Sequence, residues 1–414
     1  MTHQHDILIL RELAQRYMEI AQLPIQAERR ALWSRLNSLQ PTRPMILATF
    51  GMWNVWCREV FGDDRMQCVD PFYRAHEQAL RMQLFQFEVG DDFIQEPWIT
   101  QGAAIQGTWR GNWGVNEGNS GTVMEGGAWH YEPPLKSWQD VEKLTALPHA
   151  IDEAATARDV ARLHEAVGDI LPVNVERGPA LTNFMGDIST SLAGLRGLEQ
   201  LMVDMYESPE ELHRLLAFMR DGILANQQQA EAAGDFSLTS QANQSMTYAE
   251  ELERPRANSG PRKRSELWGF CAAQEYTLIS PEMHDEFLLQ YQLPIMKNFG
   301  PVHYGCCENL TRKIDMLRQI PNLRSIAVTP TADVARCAEQ IRGDYVFSWR
   351  PNPADMVCCG FAPDKIRGIV REAMAAAQGC RVTIHLKDVE TVEGHPERLA
   401  QWVQIVREVT ENGA

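Results

Sequence analysis

The stretch SPEMHDEFLLQYQLPIMKNFGPVHYGCC, residues 280–307, holds one helical pattern and one strand pattern in succession. A serine cap, a proline and an acidic first turn open the helix, Gly300 closes it, and the short apolar run PVHYGCC comes directly after. The same grammar recurs in SPEELHRLLAFMRDGILANQQQAEAAG (208–234) and APDKIRGIVREAMAAAQG (362–379). Other candidate strands are MILATF (45–50), FIQEPWI (93–99), ILPVNVE (170–176), FSLTSQ (236–241), LWGFCA (267–272), SIAVTP (325–330), YVFSW (345–349) and RVTIHL (381–386). Strands alternating with helices indicate an α/β protein with a parallel sheet, and about eight such units point to a (β/α)8 TIM barrel. No glycine-rich phosphate or dinucleotide fingerprint follows an early strand, which disfavours an open doubly wound sheet.

Around this barrel, expected over 41–414, stand two additions. Residues 1–40 form an N-terminal helical extension of two helices that cover the barrel. The Gly-, Trp- and Pro-rich region at about 100–150 reads as a long loop insertion, of the kind that serves as a lid, a binding arm or an oligomer contact. A homodimer is among the expected assemblies.

Composition narrows the function. The chain has 414 residues, 44% hydrophobic and 23% charged, the profile of a folded protein with an ample core. Its net charge of -16 sets an adverse field against nucleic acid and anionic membranes, and PRKR (261–264) reads as a solvated loop. Neither partner is expected. The amino terminus lacks a signal-peptide pattern, so a cytoplasmic location is expected, where nine cysteines are better explained as free thiols or metal ligands than as disulfides.

Barrel enzymes place their chemistry at the carboxyl ends of the strands. The polar residues there are Trp53 and Asn54; Gln95 and Glu96; Glu176 and Arg177; Gln241 and Asn243; Gln274 and Glu275; His303, Cys306, Cys307 and Glu308; Trp349, Arg350 and Asn352; and His385, Lys387 and Asp388. Thiol and imidazole ligands closing one strand suit Zn(II). Alternation along a strand puts His303 on the face of Cys307, with Cys306 on the other face unless the strand has ended. Further ligands would come from the last strand, where His385 and Asp388 lie. Against this stands simple packing: cysteine is often buried, Cys358 and Cys359 form a second adjacent pair, and strand-end acids such as Glu96 and Glu176 also make structural ion pairs.

From LQPTRPMILATF to the carboxyl terminus the chain resembles the uroporphyrinogen decarboxylase superfamily, and within it the corrinoid-linked (methylcobamide) zinc methyltransferases. The resemblance lies in GLEQLMVDMYESPEELHRLL, in ISPEMHDEFLLQYQLPIMKNFGPVHYGCCENLTRKIDMLRQIPNL, and in VTIHLKDVETVEGHPERLAQWVQIV. The arginine-rich segment by which porphyrinogen decarboxylases hold substrate carboxylates is replaced by LATFGMWNVWCREVF, which argues against that activity. The methyltransferases show His-x-Cys at the strand end and a late Cys. Here the strand reads HYGCC, and Asp388 stands at the late position. Matching through CENL puts Cys307 on the family cysteine and Gly305 on its histidine, with His303 two residues early.

The resemblance implies a zinc-dependent methyltransferase that moves a methyl group between a corrinoid-binding partner protein and a small-molecule donor or acceptor. Cys307 and His303 lead the implied ligands, and Cys306, Glu308, Asp388 and His385 compete for the other places. Glu275 and Gln274 would position substrate, Arg350 would hold an anionic group, and Trp349 and Asn352 are candidates for cofactor contact. The alternative is a metal-independent decarboxylase or lyase acting on a small carboxylate, bound by Arg177, Arg350 and Lys387 and protonated by Glu176 or Asp388. A barrel without catalysis is the third reading.

Overall fold

The computed structural model describes residues 2–49, 59–106, 113–115, 118–121 and 129–412. Trp53 and Asn54 lie outside them, as does part of the 100–150 insertion. The strands are β1 (Met45–Ala48), β2 (Ile99–Gly102), β3 (Gly118–Gly121), β4 (Trp129–Glu132), β5 (Val173–Glu176), β6 (Gly269–Cys271), β7 (Val302–Tyr304), β8 (Leu323–Val328), β9 (Val346–Trp349) and β10 (Arg381–Leu386). Six of them form one parallel sheet in the order β1-β10-β9-β8-β7-β6, and β2 pairs with β5 in a second parallel sheet. β3 and β4 form an antiparallel hairpin within the insertion. The protein is thus α/β with parallel strands and intervening helices.

No ladder joins the two parallel sheets among the described residues; side chains cover the edges instead. On the free edge of β1, Ile46 N donates to Asp92 Oδ2 and Ala48 N to Asp91 Oδ2, both at 2.8 Å. Asp92 is held in turn by Arg43 and Arg407 at 2.8 Å each. On β5, Asn258 accepts from Val175 N (3.1 Å) and donates to Val173 O (2.8 Å), while its own N–H donates to Asn174 Oδ1 (3.0 Å). One amide side chain stands in for a neighbouring strand. Replacing Asn258 with alanine removes its two side-chain bonds to the β5 main chain and is expected to cost about 2–4 kcal/mol, measured by urea unfolding.

Two expected strands are not formed as read. FSLTSQ (236–241) is a turn, because its hydroxyls capture nearby N–H groups: Ser240 Oγ takes Ser237 N (3.0 Å) and Ser237 Oγ takes Thr239 N (3.2 Å). In FIQEPWI the strand starts only at Ile99. Phe93 N and Gln95 N are engaged by Asp91 Oδ1 and Gln26 Oε1. Within the opening stretch, the helix is interrupted. It runs Pro281–His284 and Gln290–Met296 with a wider π turn at Asp285–Leu289 between, and Pro294 inside has no N–H for the turn before it.

Alternation divides the sheet into two faces. Ile46, Tyr304, Ile326, Phe347, Trp349, Ile384 and Leu386 face the helices in the main apolar core. The other face carries Phe270, His303, Ser325, Ser348, Thr383 and His385 in neighbouring columns. The helix Pro24–Asn37 closes this inner face at the amino ends. Trp33 and Leu36 pack on Met45, Leu47 and Val346, while Asn37 O accepts from Arg324 and Leu39 O from Arg381. The helix Thr2–Ala21 packs outside, its Leu10, Leu13 and Tyr17 against Tyr73, Leu80 and Leu163. Among the described residues no helix is long and apolar enough to cross a membrane.

Candidate active site

Gly305 ends β7 and fixes how the two cysteines beyond it are arranged. Its φ of 101° lies in the left-handed region, and a Cβ there would stand 2.7 Å from Leu310 Cδ1 and 2.9 Å from Ala327 Cβ. The strand has therefore ended before the cysteines, and strand alternation no longer separates them. Cys306 Sγ and Cys307 Sγ lie 3.5 Å apart, Cys306 buried and Cys307 exposed.

Lys387, just past the end of β10, brings its ammonium to this pair. Nζ lies 3.0 Å from Cys306 Sγ, 3.5 Å from Cys307 Sγ and 2.8 Å from Asp388 Oδ2. Cys307 Sγ lies 3.5 Å from the same carboxylate oxygen. Asp388 holds a φ of 56°, a conformation uncommon for a non-glycine residue, and it turns this carboxylate back toward the thiols. Two sulfurs and one oxygen thus converge on a single cationic position. The bond from Cys307, reinforced by the charges of Arg350 and Lys387, brings the Cys306 thiol down to about 5. Cys307, donor in that bond and desolvated on its inner side, is pushed up and keeps its proton.

Arg350 forms the inner wall. It is buried, donating to the carbonyls of Cys306 and Gly305 and, through Nη2, to His303 Nε2 at 3.0 Å. Because guanidinium only donates, His303 Nε2 is the acceptor, and Nδ1–H is left to donate to Ser325 Oγ at 2.9 Å. His385 meets Thr49 Oγ1 through Nε2. Burial and the neighbouring cations hold both imidazoles well below their ordinary value, and thus neutral.

The other expected site residues divide. His303 does not stand with the thiols, since both of its nitrogens are committed to Arg350 and Ser325. Glu308 is a brace: its carboxylate accepts from Ala273 N (2.7 Å) and Cys306 N (2.8 Å), tying the thiol turn to the end of β6. Trp349 packs in the apolar core on the helix side, and Asn352 caps the turn Pro353–Met356 by accepting from Ala354 N at 3.1 Å. Glu176 accepts from Thr239 Oγ1 (2.7 Å), Ser240 Oγ (2.5 Å) and Gly178 N (2.9 Å), and Arg177 is paired with Glu153 and Asp235. Gln274 and Glu275 lie in the turn after β6; Glu275 lines a cavity of about 910 Å³ with Thr190, Arg196 and Lys136. Ser348, Thr383 and Thr49 went unremarked in the sequence, although a hydroxyl at alternate positions of YVFSW and RVTIHL is a legible sign of a polar face.

For a metal, the donor chemistry and the present spacing point in different directions. Two thiols and a carboxylate are a zinc-like set, and they already surround a cation. That cation is the protein's own ammonium, and among the described residues no three His, Cys, Asp or Glu side chains stand at metal-binding spacing. Loading a metal therefore requires Lys387 to turn out of the focus.

No family model matches the chain, and no curated protein matches it. Among solved structures it is similar to a methyltransferase from Methanosarcina mazei, at 11% identity over 93% of this chain and 98% of that one, with a TM-score of 0.48.

Proposed function

We propose that the protein is a methyltransferase whose reacting centre is the Cys306–Cys307 pair, at the mouth of a (β/α)8 barrel. The observation that carries this reading is the convergence of Cys306 Sγ, Cys307 Sγ and Asp388 Oδ2 on one cationic position at the carboxyl ends of β7 and β10. Zinc is the proposed cofactor, held by these three side chains; when bound, it would lower the pKa of a thiol at an open position and so supply a thiolate nucleophile at neutral pH. A corrinoid carried by a partner protein is the proposed source or destination of the methyl group, and a small molecule is the other.

The chain's own residues do the rest. Glu308 fixes the turn that carries both thiols, by gripping Cys306 N. Arg350 holds the Cys306 carbonyl from inside, so the turn is clamped on two sides. In the metal-free protein Lys387 stabilises negative charge on Cys306 and balances Asp388, at the position zinc would take over. Buried neutral His303 backs Arg350 and does not compete for the thiol proton. The metal-independent decarboxylase draws less support, because Glu176 and Arg177 are both occupied by structural partners.

Elemental analysis of protein purified without an affinity metal tests the cofactor. About one zinc per chain is expected, lost in Cys307→Ala and in Asp388→Ala. Wild-type protein that remains metal-free after zinc addition and gel filtration would remove zinc from the reading. Methylcobalamin turnover, followed by its visible spectrum with candidate thiol acceptors, then tests methyl transfer.

A further inference from the structure

Two of the apolar clusters meet without merging. One holds Leu13 and Leu84; the other holds Val60, with Phe61 and Phe85 packed against it. At their seam lies a cleft of about 240 Å³. Helical spacing shapes it. On the helix Pro71–Val89, Arg81, Leu84, Phe85 and Glu88 fall at i, i+3, i+4 and i+7, so they share one face, and Leu13 and Arg16 do the same at i and i+3 on Thr2–Ala21. The floor is dry: Leu13, Val60 and Leu84 are at most 5% exposed. Phe61 meets Phe85 edge to face with ring centroids 5.8 Å apart, and Pro396 completes the lining.

The rim carries the charge. The Arg16 side chain makes no hydrogen bond or ion pair among the described residues, and Arg65 donates only to the carbonyl of Val60 at 3.0 Å. Arg81 is already matched by Glu77 at 2.9 Å. Of the acids nearby in sequence, Asp63 is paired with Arg74, and Glu59 is turned to the N–H groups of Val392 and Gly394. Glu88 is the acid that lines the cleft, and it stands in no ion pair with either free guanidinium. Two unmatched guanidiniums against one carboxylate leave the cleft with one positive charge over an apolar floor.

We infer that this cleft is a binding site for a small organic carboxylate with an apolar body, its carboxylate toward Arg16 and Arg65 and its body on Leu13, Val60 and Leu84. Guanidinium matches the two oxygens of a carboxylate, and the hydrocarbon displaces water from a surface that gains nothing by holding it. A phosphate dianion would set its second charge against Glu88, and a neutral molecule would leave both guanidiniums unmatched. No bond changes in the cleft. None of its lining belongs to the thiol site, so the inference stands apart from the function proposed above.

The test is calorimetric titration of the full-length chain with hexanoate, acetate, hexanol and hexyl phosphate at constant ionic strength. Hexanoate is expected to bind saturably, and acetate, four methylenes shorter, at least about tenfold more weakly. Hexanol, without the charge, is expected to lose about as much. Arg16 and Arg65 are exposed, so the double variant Arg16→Gln, Arg65→Gln is expected to fold normally and to weaken hexanoate about tenfold. Glu88→Gln is expected to tighten it about threefold, an effect that binding elsewhere would not show. No saturable heat with hexanoate, or equal binding of hexanol, would overturn the site, as would an unchanged affinity in the double variant or in Glu88→Gln. Hexyl phosphate binding more tightly than hexanoate in wild type would overturn the choice of a carboxylate. Hexanoate binding that survives the double variant and disappears in Cys307→Ala would move the ligand to the thiols and overturn the cleft.

Discussion

In metal-free protein, thiolate absorbance near 240 nm rises in a step centred close to pH 5, absent in Cys306→Ser and displaced upward by about 1–3 pH units in Lys387→Met. An ordinary thiol, with a pKa of about 8.5, is almost fully protonated at pH 6.5, so the two cases differ by roughly a hundredfold in thiolate. The titration is a better readout than reactivity. Nucleophilicity falls with basicity along a slope of about 0.4–0.5, which cancels most of that gap in an alkylation rate at neutral pH. The sign also reaches stability. Because the folded pKa is depressed, the contribution is fully present above the unfolded value near 8.5 and is lost as pH falls through 5. A step at the ordinary thiol value in wild type would mean that the bond from Cys307 and the charges of Arg350 and Lys387 do not act on Cys306 in solution.

Asp91→Asn is expected to destabilise the protein by about 3–5 kcal/mol at pH 5 and by clearly less at pH 8. Asp91 is buried, taking N–H groups from Ala48, Phe93 and Gln86 (2.8, 3.0 and 2.6 Å), and an amide cannot accept at both oxygen positions. Burial, with a smaller contribution from Asp92, pushes its carboxyl up to about 7. For an acid with a raised folded pKa, the stabilising contribution is complete below the unfolded value near 3.8 and disappears as pH rises through 7. The wild-type protein therefore gives up, between pH 4 and 7, a stabilisation that the asparagine variant never had. Urea unfolding of both proteins at pH 5, 6, 7 and 8 measures the difference; a gap that stays constant or widens with pH contradicts a protonated Asp91.

How much of this was legible in the sequence depends on what competes with the backbone. In SIAVTP and RVTIHL the hydroxyls do not turn back on their own N–H groups, Ser325 Oγ meeting His303 and Thr329 Oγ1 meeting Glu308 O, and strands form over Leu323–Val328 and Arg381–Leu386. FSLTSQ has comparable apolar content, but its hydroxyls reach the main chain first, and hydropathy does not register this. The thiol pair shows the same limit. HYGCC drew attention to both cysteines, but counting alternate residues assumed an extended chain through Gly305, whose left-handed φ puts both thiols together. Glu308 had the composition of a ligand and the position of a brace, because its partners are backbone N–H groups that carry no sequence label. Lys387 stood in plain view at the end of RVTIHL; its central place comes only from the turn at Asp388.

The edges of β1 and β5 are fastened by Asp91, Asp92 and Asn258, while the junctions inside the six-stranded sheet are main-chain ladders, the one between β7 and β8 carrying a register shift at Val302–His303. β2 and β5 therefore hang as a panel between two seams sewn with side chains. Tilting that panel asks a few carboxylate and amide groups to rotate and one main-chain bond, Asp92 N to Ile46 O, to give, whereas moving β7 or β10, which carry the thiols and their lysine, would unzip whole ladders. Amide protons of the panel should be the first of the parallel strands to exchange, and the chemistry is mounted on the stiffer wall.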